Sequence, residues 1–360
     1  MSRARLSLCS FLYLISSILS SNASVTDKYW VGPDNGLWSD PNNWTLTMNG
    51  PGAAGVPSGG YTIIGDRAQA FESSSRNFIF DGDYSASGAG FGVLNLSASS
   101  GATLNFIESS GTLTCAVESI GPNVIYQHSG GANQMNTGLA IAGTYLVSGN
   151  AQVRIGGPSD ITISGSLQQS GGSINCNNGI ILNGGSYTLS AGHVGSDYTE
   201  IDAGTCRLAA GSLSTSFLIN HDALILSPGV STTLDTYFQS SLGKLEMELD
   251  GGTAGQYAHL SPFISASLNG LLTINLANNF SPELGDSFLL IDSPSLTGTF
   301  SSYNLPALSN GLEWQPTYTP TTFSLSVVVP EPSAILLLPF LLILLRTQRQ
   351  KYRTKFQDLS

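Results

Sequence analysis

The sequence predicts an all-β chain, a right-handed parallel β-helix or solenoid with a cap at each end. Three observations carry this. From Asn77 to Gln239 the apolar residues show no helical spacing and fall into runs of four to seven, rich in β-branched and aromatic types. Gly-Gly, Ser-Gly, Asn-Gly and Asn-Asn pairs divide the runs, as tight turns require. One unit also recurs: residues 165–174 return as 185–194 and, shortened, as 206–213, with Gly172, Gly192 and Gly211 spaced by about twenty residues. That period suits one coil of a β-helix, which cannot close a core alone and stacks to acquire one. Leu167, Tyr187, Leu189 and Leu208 then point inward. A β-sandwich with coincident spacing is the alternative.

Taken in order, residues 1–23 read as a signal peptide. Arg3 and Arg5 precede an apolar, Ser-punctuated run from Leu6 to Leu19, and Ser21-Asn22-Ala23 supplies small residues for a cut after Ala23. An uncleaved N-terminal anchor is the other reading. Residues 24–76 carry Tyr29, Trp30, Trp38 and Trp44 within sixteen positions, a large apolar load for a loop-rich stretch. This predicts a cap over the open end of the stack; the functional alternative is a sugar-stacking platform made of Trp30, Trp38 and Trp44. Together with Gly55-Val56-Pro57 and residues 65–71, the block resembles the N-terminal block of secreted, autotransporter-like repeat proteins.

Residues 77–240 form the predicted solenoid. Residues 241–329 change texture: Leu245-Glu246-Met247-Glu248-Leu249-Asp250 alternates as a half-exposed strand does. This block is expected to supply the last coils and a C-terminal cap that screens the open sheet end. Residues 316–323, rich in Thr and Pro, read as a linker.

Residues 330–360 end the chain. Pro330, Glu331 and Pro332 hold an extended entry. An apolar run from Ala334 to Leu345 follows as a C-terminal hydrophobic helix, then Arg346, Arg349, Lys351, Arg353 and Lys355. The uncharged run of about twelve residues makes roughly 18 Å of helix against about 30 Å of hydrocarbon. A buried C-terminal strand or helix is the alternative. The order of motifs resembles the PEP-CTERM sorting signal of Gram-negative bacteria, the substrate of exosortase-type enzymes. Residues 241–329 likewise resemble the module that precedes this signal in many such proteins. The resemblance implies recognition through Pro330, Glu331 and Pro332, and a membrane stop at Arg346, Arg349, Lys351 and Arg353. It implies passage through the inner membrane to the envelope, outer surface or extracellular matrix, with a structural or adhesive role; a carbohydrate-binding surface protein with polysaccharide as its partner is the alternative.

Seven of the 13 basic residues lie in the two end segments, leaving six against 22 acidic residues between them, a net of −16. Such a body repels nucleic acid and anionic lipid and can hold cations. Charged residues are 10% of the chain, yet Leu, Ile, Val, Tyr and Phe recur throughout, which is not a disordered pattern.

Enzyme motifs are missing: there is no G-x-S-x-G elbow, H-E-x-x-H, P-loop or paired C-x-x-C. His128, His193, His221 and His259 show no metal spacing, and His221-Asp222 reads as a solvated turn. Asp197, Glu200 and Asp202, with Arg207 nearby, are the one carboxylate cluster that a polysaccharide lyase or hydrolase could use. Arg and Lys are scarce around it, so the chain is expected to be non-catalytic. Asp81-Gly82-Asp83 could bind Ca²⁺ through Asp81 and Asp83, or be a plain Asp-Gly turn. Cys115, Cys176 and Cys206 either include one disulfide pair or sit inside as small apolar groups.

Overall fold

The computed structural model describes residues 25–330 apart from Tyr61, Ile63, Ile64 and Ser87. The signal peptide, the C-terminal hydrophobic helix, Glu331, Pro332, Arg346, Arg349, Lys351 and Arg353 lie outside the described residues. Pro330 is the last one inside them and is half-buried. No helix among the described residues is long and apolar enough to cross a membrane.

The described chain is nearly all β. One sheet of 22 strands, mostly parallel, is joined by a small antiparallel sheet of three. The pairing follows a simple rule: a strand pairs in parallel with the next but one. Arg67–Glu72, Phe91–Ala98, Thr112–Ile120 and Ala132–Ile141 make one ladder. Arg76–Phe80, Leu104–Glu108, Val124–His128 and Thr144–Val147 make another. The long extended run Ser166–Leu208 pairs with strands of both ladders. Both ladders continue beyond it, through Ser212–Asn220 and Ser231–Gln239 on one side and Ala223–Leu226, Lys244–Leu249 and Leu271–Leu276 on the other. This arrangement is compatible with a coiled stack.

Period-two alternation decides what lies inside. Leu104–Glu108 and Val124–His128 bury every second residue, and register sets each buried residue on one below it. Phe78 faces Phe106, Phe106 faces Tyr126, Tyr126 faces Tyr145, and Tyr145 faces Leu167. All five are buried. Ring centroids along the column lie 5.0, 4.6 and 4.5 Å apart, the spacing at which edge-to-face and offset pairs are favourable. Leu167, Tyr187, Leu189 and Leu208 are buried as expected.

The parallel ladder starts at Asp27–Trp30 against Arg67–Glu72, ahead of the first coil expected at residue 77, and reaches Leu296–Gly298 and Ser302–Asn304, inside the block expected to supply the last coils. Residues 316–323 are not a linker. They span the end of Glu313–Tyr318, the turn at 319–321 and the start of Thr322–Val328, a hairpin whose second strand pairs onward with Ser287–Asp292. Phe323, Leu325 and Val327 alternate inward and are fully or almost fully buried, and that apolar face outweighs the Thr/Pro composition. Pro316 sits on the outer strand of this sheet, where its missing donor costs no ladder bond. The three cysteines are free and buried, so no disulfide pairs them.

The recurrent glycines have a direct cause. Gly192 and Gly211 turn with φ of +96° and +84°, and a Cβ on Gly192 would lie 2.5 Å from the carbonyl oxygen of Gly172 below. Gly184 has φ +93° but nothing within 4 Å of such a Cβ. We expect Gly184→Ala to cost the left-handed strain alone, about 1–2 kcal/mol. Gly192→Ala should cost clearly more, because the clash adds to that strain. Equal urea midpoints for the two variants would contradict this account.

Candidate functional site

The aromatic residues near the N-terminus come together in one cluster. Trp30 is 5% exposed, Trp38 1% and Trp44 0%. Trp30 stacks on Phe78 at 3.7 Å, and Trp38 meets Trp44 edge-on at 4.7 Å. The Trp44 indole N–H donates to Trp38 O at 2.9 Å, and that of Trp38 to the Tyr84 hydroxyl at 3.0 Å. The cluster therefore extends the inner aromatic column and closes it. No indole face is left for a sugar, which corrects the stacking-platform reading of Trp30, Trp38 and Trp44. The physical reason is that each ring is packed against other rings and has no solvent-facing surface to offer.

The Asp81 and Asp83 pair is likewise spent locally. Asp81 accepts the Ser39 backbone N–H at 2.8 Å and its hydroxyl at 2.5 Å. Asp83 accepts the Ser85 N–H and hydroxyl at 3.0 Å each, bonds that hold its carboxyl below the ordinary value. Each carboxylate serves its own serine, and the two do not converge with a third ligand. Asp83 itself lies in a parallel bridge with Thr112, so the stretch is extended and is not the plain Asp-Gly turn expected, and the two carboxylates are held by separate local hydrogen bonds.

A polar cluster that the sequence reading missed lies inside the stack. Glu108, Glu118, His128 and Asn133 are all 0% exposed, beside Tyr126, Tyr145 and Cys115. Tyr126 donates a short hydrogen bond to Glu108. Asn133 Nδ2 lies 2.7 Å from Glu118 Oε2 and 3.2 Å from each tyrosine oxygen. His128 Nδ1 meets the Tyr145 hydroxyl at 3.0 Å, and its Nε2 is 3.6 Å from Glu108. Burial pushes Glu118 up to about 8 and Glu108 well above its usual range, and holds His128 down to about 4. The signal was present in the alternation: Leu104, Phe106 and Glu108 share one parity, as do Val124, Tyr126 and His128.

On the outer face, the predicted acids partly converge. Buried Thr199 and Ile201 pin the strand, so Glu200 and Asp202 both face outward. Asp197 is exposed, at the one position where Ser166–Leu208 and Ser212–Asn220 leave a pair unlinked while keeping their register. Arg207 does not join them; its guanidinium binds Glu248 at 2.7 Å and the Ser227 hydroxyl at 3.2 Å. In its place stands His221, with Nε2 3.6 Å from Glu200 Oε1. Ligand atoms of Glu200, Asp202 and His221 all lie within 4.8 Å of one another. Asp222, the sequence neighbour, turns away to accept the Gly204 N–H at 2.8 Å and to face Lys244 at 3.5 Å. Spacing along the chain hides this trio, because partners on neighbouring strands are 19 residues apart, as His193 and Ser212 are.

A surface groove of about 460 Å³ is lined by Thr103, Asn123, Thr144, Ser166 and neighbours that include no ionisable side chain. No protein-family model matches the chain. No curated protein matches it either.

The interior cluster sets a pH response. Glu118 titrates higher folded than unfolded, so its contribution is whole below about pH 4.5 and is lost as pH rises through about 8. Over that window one carboxyl accounts for on the order of 5 kcal/mol. His128 acts oppositely: its contribution is present above about pH 6.5 and lost as pH falls through about 4. Thermal melts should therefore show a higher Tm near pH 5 than at pH 8.5. Glu118→Gln should flatten the alkaline limb; an unchanged slope in that variant would count against a buried neutral carboxyl.

Proposed function

We propose that this chain is a right-handed parallel β-helix that works as a non-catalytic, exported component of the cell surface or extracellular matrix, structural or adhesive in role. The observation that carries the reading is the pair of parallel ladders, one running from Asp27–Trp30 to Leu296–Gly298 and the other from Gly36–Leu37 to Ser302–Asn304. A column of aromatic rings leads into the Trp30, Trp38 and Trp44 cluster at one end, and the antiparallel sheet stands at the C-terminal end. Such a stack holds its shape by repetition, which suits a molecule whose task is to occupy a place.

Under this reading residues 1–23 direct export, residues 330–360 hold the chain briefly at the inner membrane, and an exosortase-like enzyme recognises Pro330, Glu331 and Pro332. Arg346, Arg349, Lys351 and Arg353 stop the tail on the cytoplasmic side. The acidic body favours partners that are not nucleic acid, with surface polysaccharide the class that fits. A polysaccharide lyase or hydrolase is the less favoured reading, because Arg207, the cation it needs beside Asp197, Glu200 and Asp202, is bound to Glu248.

Intact mass and fractionation of the native protein test this. We expect a surface or medium species lacking residues 1–23 and the basic tail. Replacing Pro330, Glu331 and Pro332 with alanines should leave the uncut chain in the inner-membrane fraction. A wild-type chain recovered from the cytoplasm with both ends intact would overturn the proposal.

A further inference from the structure

We infer that Glu200, Asp202 and His221 bind a divalent transition-metal ion, Zn²⁺ in preference to Ca²⁺, on the outer face of the parallel ladder. The placement follows from the backbone. Thr199 and Ile201 are fully buried, so the residues that follow each of them point out on the same face of one strand. The His221 N–H donates to Ile201 O at 2.9 Å, which brings His221 beside Asp202 on the neighbouring strand. Strands in a sheet lie about 4.8 Å apart, so outward side chains at such positions reach one another.

The distances are those of shared ligands. His221 Nε2 and Glu200 Oε1 are 3.6 Å apart. That exceeds the usual N–H···O range of roughly 2.7–3.2 Å. It is near the edge of about 3.3–3.4 Å between two ligands of a tetrahedral ion with bonds of about 2.0–2.1 Å. All three donors fall within 4.8 Å of one another, so a single ion can touch each after small rotations. The Phe238 ring meets His221 edge-on, with centroids 5.9 Å apart, and limits how far the imidazole can swing. His221 and Glu200 side chains are 29% and 27% exposed, open enough for an ion to enter and for water to complete its shell.

The donor set selects the ion. One imidazole nitrogen and two carboxylates suit Zn²⁺ and its first-row neighbours. Ca²⁺ takes six to eight oxygens and gains little from an imidazole. A bound ion would tie two neighbouring strands together through their side chains, adding a cross-link to the backbone ladder, and by mass action would raise the stability of the folded chain.

The test uses the mature chain without a histidine tag, titrated with ZnCl₂ by calorimetry and thermal melting. We expect one ion per chain, a higher Tm with Zn²⁺, and no Tm change with CaCl₂ at the same concentration. His221→Ala and the double change Glu200→Gln with Asp202→Asn should each weaken binding by about a hundredfold or more, since loss of even an outer-shell partner costs roughly 10–100-fold. His259→Ala, which alters another imidazole–carboxylate pair, should leave binding as it was. Unchanged affinity in the His221 and acid variants overturns the inference. Should those variants fail to fold, Co²⁺ added to the wild-type chain decides it. Paramagnetically shifted imidazole signals from His221 alone support the site; signals from another histidine, or none, overturn it.

Discussion

Along the parallel ladders, inward side chains of one strand rest on inward side chains of the strand below. The parallel ladder holds strands at a fixed separation and in register, so a residue's neighbours are set by the strand beneath and the strand above. Most of the rest follows from that. The aromatic column exists because register places Phe78, Phe106, Tyr126 and Tyr145 over one another. Glycines such as Gly192 and Gly211 are required because their φ is positive and a Cβ would meet a carbonyl of the strand below. An end of such a column would leave rings in water, and Trp30 stacked on Phe78 removes that cost at the N-terminal side.

The same constraint admits polar groups to the interior. At the last inward position of each strand the register runs Glu108, His128, Val147, Gln169. Glu108 and His128 face each other across neighbouring strands, while Gln169 is satisfied by the Tyr187 hydroxyl at 2.8 Å and the His193 carbonyl at 3.1 Å. Burial without a counter-charge favours the uncharged forms, which explains why two carboxyls rise and one imidazole falls. Neutral, hydrogen-bonded groups can be held in such a core; ionised ones cost it stability. The cluster therefore fits the stack only in a limited pH range, and the tyrosines on which it leans are the same rings that build the column.

Outside, the ladder brings together groups that are distant in sequence. Glu200 and Asp202 share a face because they are two apart on one strand, and His221 joins them from the next. Arg207 and Glu248 meet although they are 41 positions apart, for the same reason. Each outward trio or pair is thus a statement about register as much as about composition. An acidic surface with few Lys and Arg leaves several carboxylates to be satisfied by backbone N–H groups, serine hydroxyls or an imidazole.

The sequence alone determined the β class, the turn positions and the inward residues Leu167, Tyr187, Leu189 and Leu208, because period-two alternation and turn chemistry are local. It also showed the aromatic load of the N-terminal block, though not whether Trp30, Trp38 and Trp44 faced in or out. Parity made Glu108 and His128 legible as inward, yet their polarity argues for the surface, and only packing overrules that. The tertiary structure decided that residues 316–323 form a hairpin, that Asp81 and Asp83 serve separate serines, and that Glu200 and Asp202 meet His221 and not Arg207. Those outcomes depend on which strand lies beside which, and in what register. That is set by the long-range stacking of one stretch on another about nineteen residues away, and no short window of sequence contains it.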